Sequence, residues 1–219
     1  MPIHWQIMDR GRRLTDGVRN QIETCVVDAV EIVEQKCPDL DADLSIIATD
    51  IYTDPRWYRS GKAFGPGYAQ IELNPDHPRF KPDWEDEAAP LVIHELHHCL
   101  RWAEKAAEWT IGEVIVLEGL AMLAEETSGK HALFYGKPPR SQVLDRLCKK
   151  AFVHSGSAEG EDTSWFRAME IEGEKLEAPV NYHIGKAMME VSLDAMGLDA
   201  FQAAKVPTAT LLNAWKASV

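Results

Sequence analysis

The chain has little that could tie it together covalently. It carries four cysteines in 219 residues, Cys25, Cys37, Cys99 and Cys148, without paired spacing. Disulfide frameworks serve short secreted chains that cannot bury a sufficient core, and this chain is long enough to bury one, so reduced thiols are expected. Basic residues are also scarce: 23 Lys and Arg stand against 35 Asp and Glu, a formal net charge of −12, and no basic cluster stands out. That argues against a nucleic-acid surface and leaves solubility as the main consequence of the charge. No apolar run could span a bilayer, and the N-terminus, Met1 to Arg10, lacks an apolar core of signal-peptide length. A cytoplasmic protein with neither membrane nor nucleic-acid partners is the expectation, folded as one domain over 1–219 with a covering helix inside 1–40.

The organisation along the chain follows from periodicity. Leu14, Val18, Ile22, Val26, Val30 and Val33 recur at helical spacing, with Thr15 or Asp16 as the cap and Pro38 past the end. Leu44 to Ile51 reads as a buried strand, Arg56 to Gly67 as a loop, and Gly67 to Leu73 as an alternating strand stopped by Asn74-Pro75. His77 to Trp84 reads as another loop, with Glu85 or Asp86 capping the next helix and Pro90 in its first turn. Later come helices from Ser141 to about Phe152, from an Asn181 cap to Gly197, and after Pro207. The polar, glycine-bearing stretch His154 to Thr163 reads as a flexible flap.

The chemistry concentrates in His94-Glu95-Leu96-His97-His98, an H-E-x-x-H pattern inside a largely apolar helix with Leu91, Val92, Ile93 and Leu100. Residues i and i+4 share a helix face, so His94 and His98 can address one metal ion with Glu95 beside them. Burying imidazoles and a carboxylate in such a helix is costly unless a cation compensates. His97 is expected to face a structural hydrogen bond and Cys99 the core. A third ligand is available at Glu118 in Leu117-Glu118-Gly119-Leu120-Ala121, twenty residues after His98. Thr110 and Glu113 have capping-box spacing, so a helix is expected from Ile111 to Ala124 and a stop at Ser128-Gly129. Glu118 then lies mid-helix among apolar residues, whereas Glu125 and Glu126 are expected on the solvated side.

H-E-x-x-H followed by a helical E-G-L-A resembles the gluzincin branch of the zincin metallopeptidases. More narrowly, Val92 to His98, Leu117 to Ala121 and Tyr182-His183-Ile184-Gly185 resemble the domain of unknown function 2268 family, predicted zinc-dependent proteases. The resemblance implies an α+β, zincin-like fold: a small N-terminal sheet over the metal helix, with a mainly helical C-terminal half. It implies Zn2+ held by His94, His98 and Glu118, with Glu95 as general base. Tyr182 is the preferred donor to the oxyanion and His183 the alternative. Thermolysin-like members often place an Asp four residues after the glutamate ligand to orient a histidine; Met122 stands there in this chain.

Peptide-bond hydrolysis on a peptide or protein substrate is therefore the expected activity. In zincins the strand before the metal helix commonly borders a bound peptide, which makes Tyr68 to Leu73 the expected open edge of the cleft. The alternatives are an inactive zincin-like metal-binding or interaction domain, and a hydrolase of a non-peptide amide or ester. Oligomeric state is not legible in the sequence.

Overall fold

Leu44, Ile46 and Ala48 are buried on one short strand and Ala69, Ile71 and Leu73 on another, the every-second-residue burial that a sheet covered on one face requires. The computed structural model of the chain describes residues 3–49, 58–102, 109–129, 135–158 and 161–219. Its main sheet holds β1 (His4–Met8), β2 (Asp43–Ala48), β3 (Arg59–Gly65) and β4 (Tyr68–Leu73), in spatial order β1-β2-β4-β3. β1, β2 and β4 are parallel, and β3 runs antiparallel to β4 at one edge. The fold is thus α+β, a small and mostly parallel sheet with a helical bulk. None of the described helices is long and apolar enough to cross a membrane.

By their contacts the residues group into two compact units, Met1–Ala103 with Glu125–Leu133, and Glu104–Ala124 with Phe134–Val219. In the first unit, α1 (Asp16–Lys36) starts where expected, the Thr15 hydroxyl accepting from the Val18 N–H at 3.3 Å. Its buried stripe is Ile22, Val26, Ala29, Val30 and Val33, and it packs against α2 (Phe80–Trp102), which lies on β3 and β4. The opposite face of the sheet mixes polar side chains with Met8, Ile47, Phe64 and Tyr68. There Gln6 donates to Ser45 at 3.2 Å, and Gln70 and Ser60 both donate to Glu72, at 2.8 and 3.4 Å.

Several expectations about this unit need correction. α2 begins at Phe80, so the loop expected over His77 to Trp84 is cut short and neither Glu85 nor Asp86 is its cap. Arg59–Gly65 is a strand rather than part of a loop, and Arg56 and Trp57 lie outside the described residues. Tyr68–Leu73 is not an edge: it pairs with β2 on one side and β3 on the other. Pro90 is not in the first turn of α2 but well inside it. A proline there costs the helix one N–H···O bond, and α2 nevertheless continues for more than three turns beyond it.

In the second unit the Thr110 hydroxyl accepts from the Glu113 N–H at 3.2 Å at the start of α3 (Ile111–Glu125), whose last residue belongs to the first unit. A short 3₁₀ turn, Glu126–Ser128, and Gly129 at φ 69° end that run. Residues 154–158, expected to begin a flap, are bonded to α3 instead: Ile111 N–H donates to the Ser157 carbonyl at 3.0 Å and Gly112 N–H to that of Ser155 at 2.9 Å. The remaining helices are α4 (Ser141–Val153), α5 (Val180–Met196), the one-turn α6 (Ala200–Ala203) and α7 (Thr208–Ser218). Between α4 and α5 lie a 3₁₀ segment and a two-stranded hairpin of β5 (Glu170–Ile171) and β6 (Glu174–Lys175). α5 packs on α4 and α7, and the buried Ser192 hydroxyl bridges the carbonyls of Met188 and Leu211 at 2.8 and 2.9 Å.

α3 and α5 cross backbone to backbone. A Cβ on Gly119 would run into the Gly185 carbonyl and sit 2.7 Å from Met189 Cγ, and one on Gly185 would sit 2.8 Å from the Ile115 carbonyl. Only glycine at both positions permits so close an approach.

Candidate metal centre

Helical phase brings the histidines together as the spacing requires. His94 and His98 stand one turn apart on α2 with ring centroids 4.4 Å apart and planes at 80°, and both are buried. Glu118 comes from α3. Ligand atoms of His94, His98 and Glu118 all lie within 4.8 Å of one another, so these residues form a group that could hold one metal ion. The donor set suits zinc, which takes imidazole nitrogen and carboxylate oxygen in fourfold sites. The burial of His94 and His98 beside the half-buried Glu118 supports the same fit, because such groups are expensive to take from water without a cation to compensate.

The orientation of His94 has a visible cause that the sequence reading missed. His94 Nδ1 lies 2.5 Å from Glu125 Oε1. Facing a carboxylate, Nδ1 carries the proton and Nε2 keeps its lone pair for a ligand role. Glu125 was expected in solvent beside Glu126; it is 4 % exposed, while Glu126 is exposed. Seven residues, two helical turns, separate it from Glu118, so one helix carries both carboxylates on nearly one side. The signal was available in the sequence as in-phase spacing at seven. A histidine's carboxylate partner typically tunes metal affinity 10- to 100-fold. Glu125→Ala should therefore weaken zinc binding by roughly that factor, measured by competition with a chelator. An unchanged dissociation constant would leave Glu125 with a packing role only.

Glu95 is buried at 4 % exposure and lies against edge strand β3. His97 is fully buried, and Cys99, at 1 % exposed, belongs to the core as expected. Burial, with the neighbouring Glu95 carboxylate, pushes the Cys99 thiol up to about 12, as suits a side chain packed in the core. None of the four cysteines is in a disulfide.

β3 itself is fastened to α2 by charge. Arg59 Nε donates to Glu87 Oε2 at 2.7 Å and the Tyr58 hydroxyl to the same oxygen at 2.5 Å, all three residues being buried. Burial and the neighbouring Glu87 carboxylate push the Tyr58 hydroxyl far above its ordinary value, so it remains a donor.

At the start of α5 the expected Asn181 cap is replaced by Pro179, whose fixed φ suits the position. Asn181 instead lies inside the first turn with no exposure, and neither of its amide atoms has a hydrogen-bond partner among the described residues. Tyr182 is half-buried, its ring centroid 5.0 Å from that of Tyr135. His183 is buried, and desolvation lowers its pKa, aided by Lys186 and opposed by a hydrogen bond to the Tyr135 backbone. It is therefore neutral at pH 7. His131 lies outside the described residues, and the His154 ring rests 6.3 Å from that of Trp165.

The chain thus combines a mixed sheet with an antiparallel edge strand and a His-His-Glu group that could hold a metal ion. Residues 59–161 match the family described as Predicted Zn-dependent protease (DUF2268). The match runs from the first residue of β3 past α4, and so includes Glu95, Glu125 and all three proposed ligands. Tyr182 to Gly185 fall outside it. Neither the curated proteins nor the solved structures offer a match to the chain.

Proposed function

We propose that the protein is a gluzincin-type zinc peptidase, with His94, His98 and Glu118 as the metal ligands and Glu95 as the general base. The observation that carries this reading is the convergence of those three ligand atoms within 4.8 Å beside a buried glutamate that is not one of them. Zinc, when bound, supplies a water acidified to near neutrality and an electrophile for the substrate carbonyl. Glu95 accepts the proton of that water on a carboxylate oxygen and returns it to the leaving amine. Glu125 keeps the His94 ring in one tautomer. The Tyr182 hydroxyl donates to the oxygen on which charge develops; its partial exposure supports it over the buried His183.

The peptide preference rests on β3 rather than on Tyr68–Leu73. β3 is the last strand of its sheet among the described residues, and Gly61 on it adjoins Glu95. An extended substrate adding to that edge through its main chain would bring a carbonyl alongside the base. β4, paired on both sides, offers a substrate no open edge, and the same groups could hydrolyse a non-peptide amide or ester. The test is metal analysis of the purified protein followed by digestion of a peptide library. Near-stoichiometric zinc with cleavage at defined bonds is expected. Zinc-replete protein that cuts no peptide but turns over small amides or esters would replace the peptidase reading, and protein that binds no zinc would end it.

A further inference from the structure

A second requirement of the site lies on β3, at a residue with no side chain. A Cβ built on Gly61 would overlap Glu95 Oε1 and stand 2.5 Å from Glu95 Cδ and 2.7 Å from Glu95 Cγ. The three nearest atoms all belong to Glu95, and separations this short essentially never occur at a real Cβ. Gly61 is not among the residues at positive φ. Backbone conformation therefore does not demand glycine there; Glu95 does.

We infer that Gly61 is the positioning residue for Glu95: the bare backbone of β3 forms the wall against which the carboxylate is held, and any side chain at 61 displaces it. The proposal rests on the peptidase reading for its functional half only.

Two observations support it. Arg59, Gly61 and Ala63 share one face of β3, with Arg59 6 % and Ala63 6 % exposed, and α2 packs on this strand. The Arg59–Glu87 bond, shared by Tyr58, fixes the strand to α2 only two residues before Gly61. β3 cannot easily retreat to admit a methyl group, because that would break a buried charged pair. Glu95, the unbranched and flexible partner, must give way. Its alternative rotamers carry the carboxylate away from the place where it stands in this structure.

The experiment is a double-mutant cycle of Gly61→Ala and Glu95→Ala, read first by thermal melting of the purified proteins. Gly61→Ala in the wild-type background should lower Tm by about 2–10 °C, the usual range for a forced extra methyl in a chain of this size. In the Glu95→Ala background the same change should leave Tm unaltered or raise it, because the obstacle is gone and alanine suits a strand better than glycine. The second readout is turnover at full zinc occupancy. Gly61→Ala should keep its metal and its KM while kcat falls about 10- to 100-fold, the scale of a displacement near 1 Å at a reacting group. An equal loss of Tm in both backgrounds, or failure of both proteins carrying Gly61→Ala to fold, would overturn the inference, as would wild-type Tm and kcat for Gly61→Ala. Folding only in the Glu95→Ala background would support it. If the wild type cleaves no peptide, the peptidase reading falls while the melting cycle still decides the contact.

Discussion

Glu95→Gln should retain its zinc and lose turnover by about 10² to 10⁴, because the amide keeps the shape of the side chain but cannot accept the water's proton. The loss should appear in kcat with little change in KM, the signature of a group that acts as the transition state forms. Glu95 has none of the three ligand atoms, so metal analysis and kinetics should separate cleanly. Wild-type turnover with zinc in place would remove Glu95 from the mechanism. Loss of zinc would make it a ligand or a structural support, and the assignment of His94, His98 and Glu118 would need revision. Tyr182→Phe offers a calibration: it too should keep the metal and slow kcat, by the smaller factor expected when the ligands and the base remain.

The other large effect is expected at a ligand. His98→Ala removes one of three protein donors, and zinc content should fall from near-stoichiometric to trace in protein purified without added metal. Because zinc bound to the native state stabilises it by mass action, adding a chelator should lower the Tm of the wild type. It should leave the Tm of His98→Ala almost unmoved, since that protein has little bound metal to lose. A variant that keeps its zinc, or that melts with the wild-type chelator response, would show that the ion is held elsewhere.

The part of the site that could be read from the chain was the part written in helical phase. His94 and His98 at i and i+4, and Glu118 within an apolar helix opened by Thr110, required only 3.6-residue periodicity. Glu125 was equally in phase but was judged by its neighbour Glu126 and by a spacing of four rather than seven. A run ending in two glutamates looks solvated even when one of them turns inward. β3 was missed for a different reason. Arg59, Gly61 and Ala63 lie on the face toward α2, so the apolar alternation that marks a strand is absent where the strand meets the Glu87 and Glu95 carboxylates of that helix. Pro90 misled as well, since one lost hydrogen bond is a tolerable cost in a helix anchored by Val92, Ile93 and Leu96 in the core.

The two carboxylates of α3 also set a rule about length. Glu118 and Glu125 lie on nearly one side of the helix only because two full turns separate them. Inserting a single residue between them would swing one about 100° around the axis relative to the other. No substitution of the intervening Gly119 to Ala124 could do as much to their relative bearing. The stretch from 118 to 125 behaves as a ruler: its letters can be exchanged within the limits of packing, but its count cannot change without separating a proposed metal ligand from the group that orients its partner.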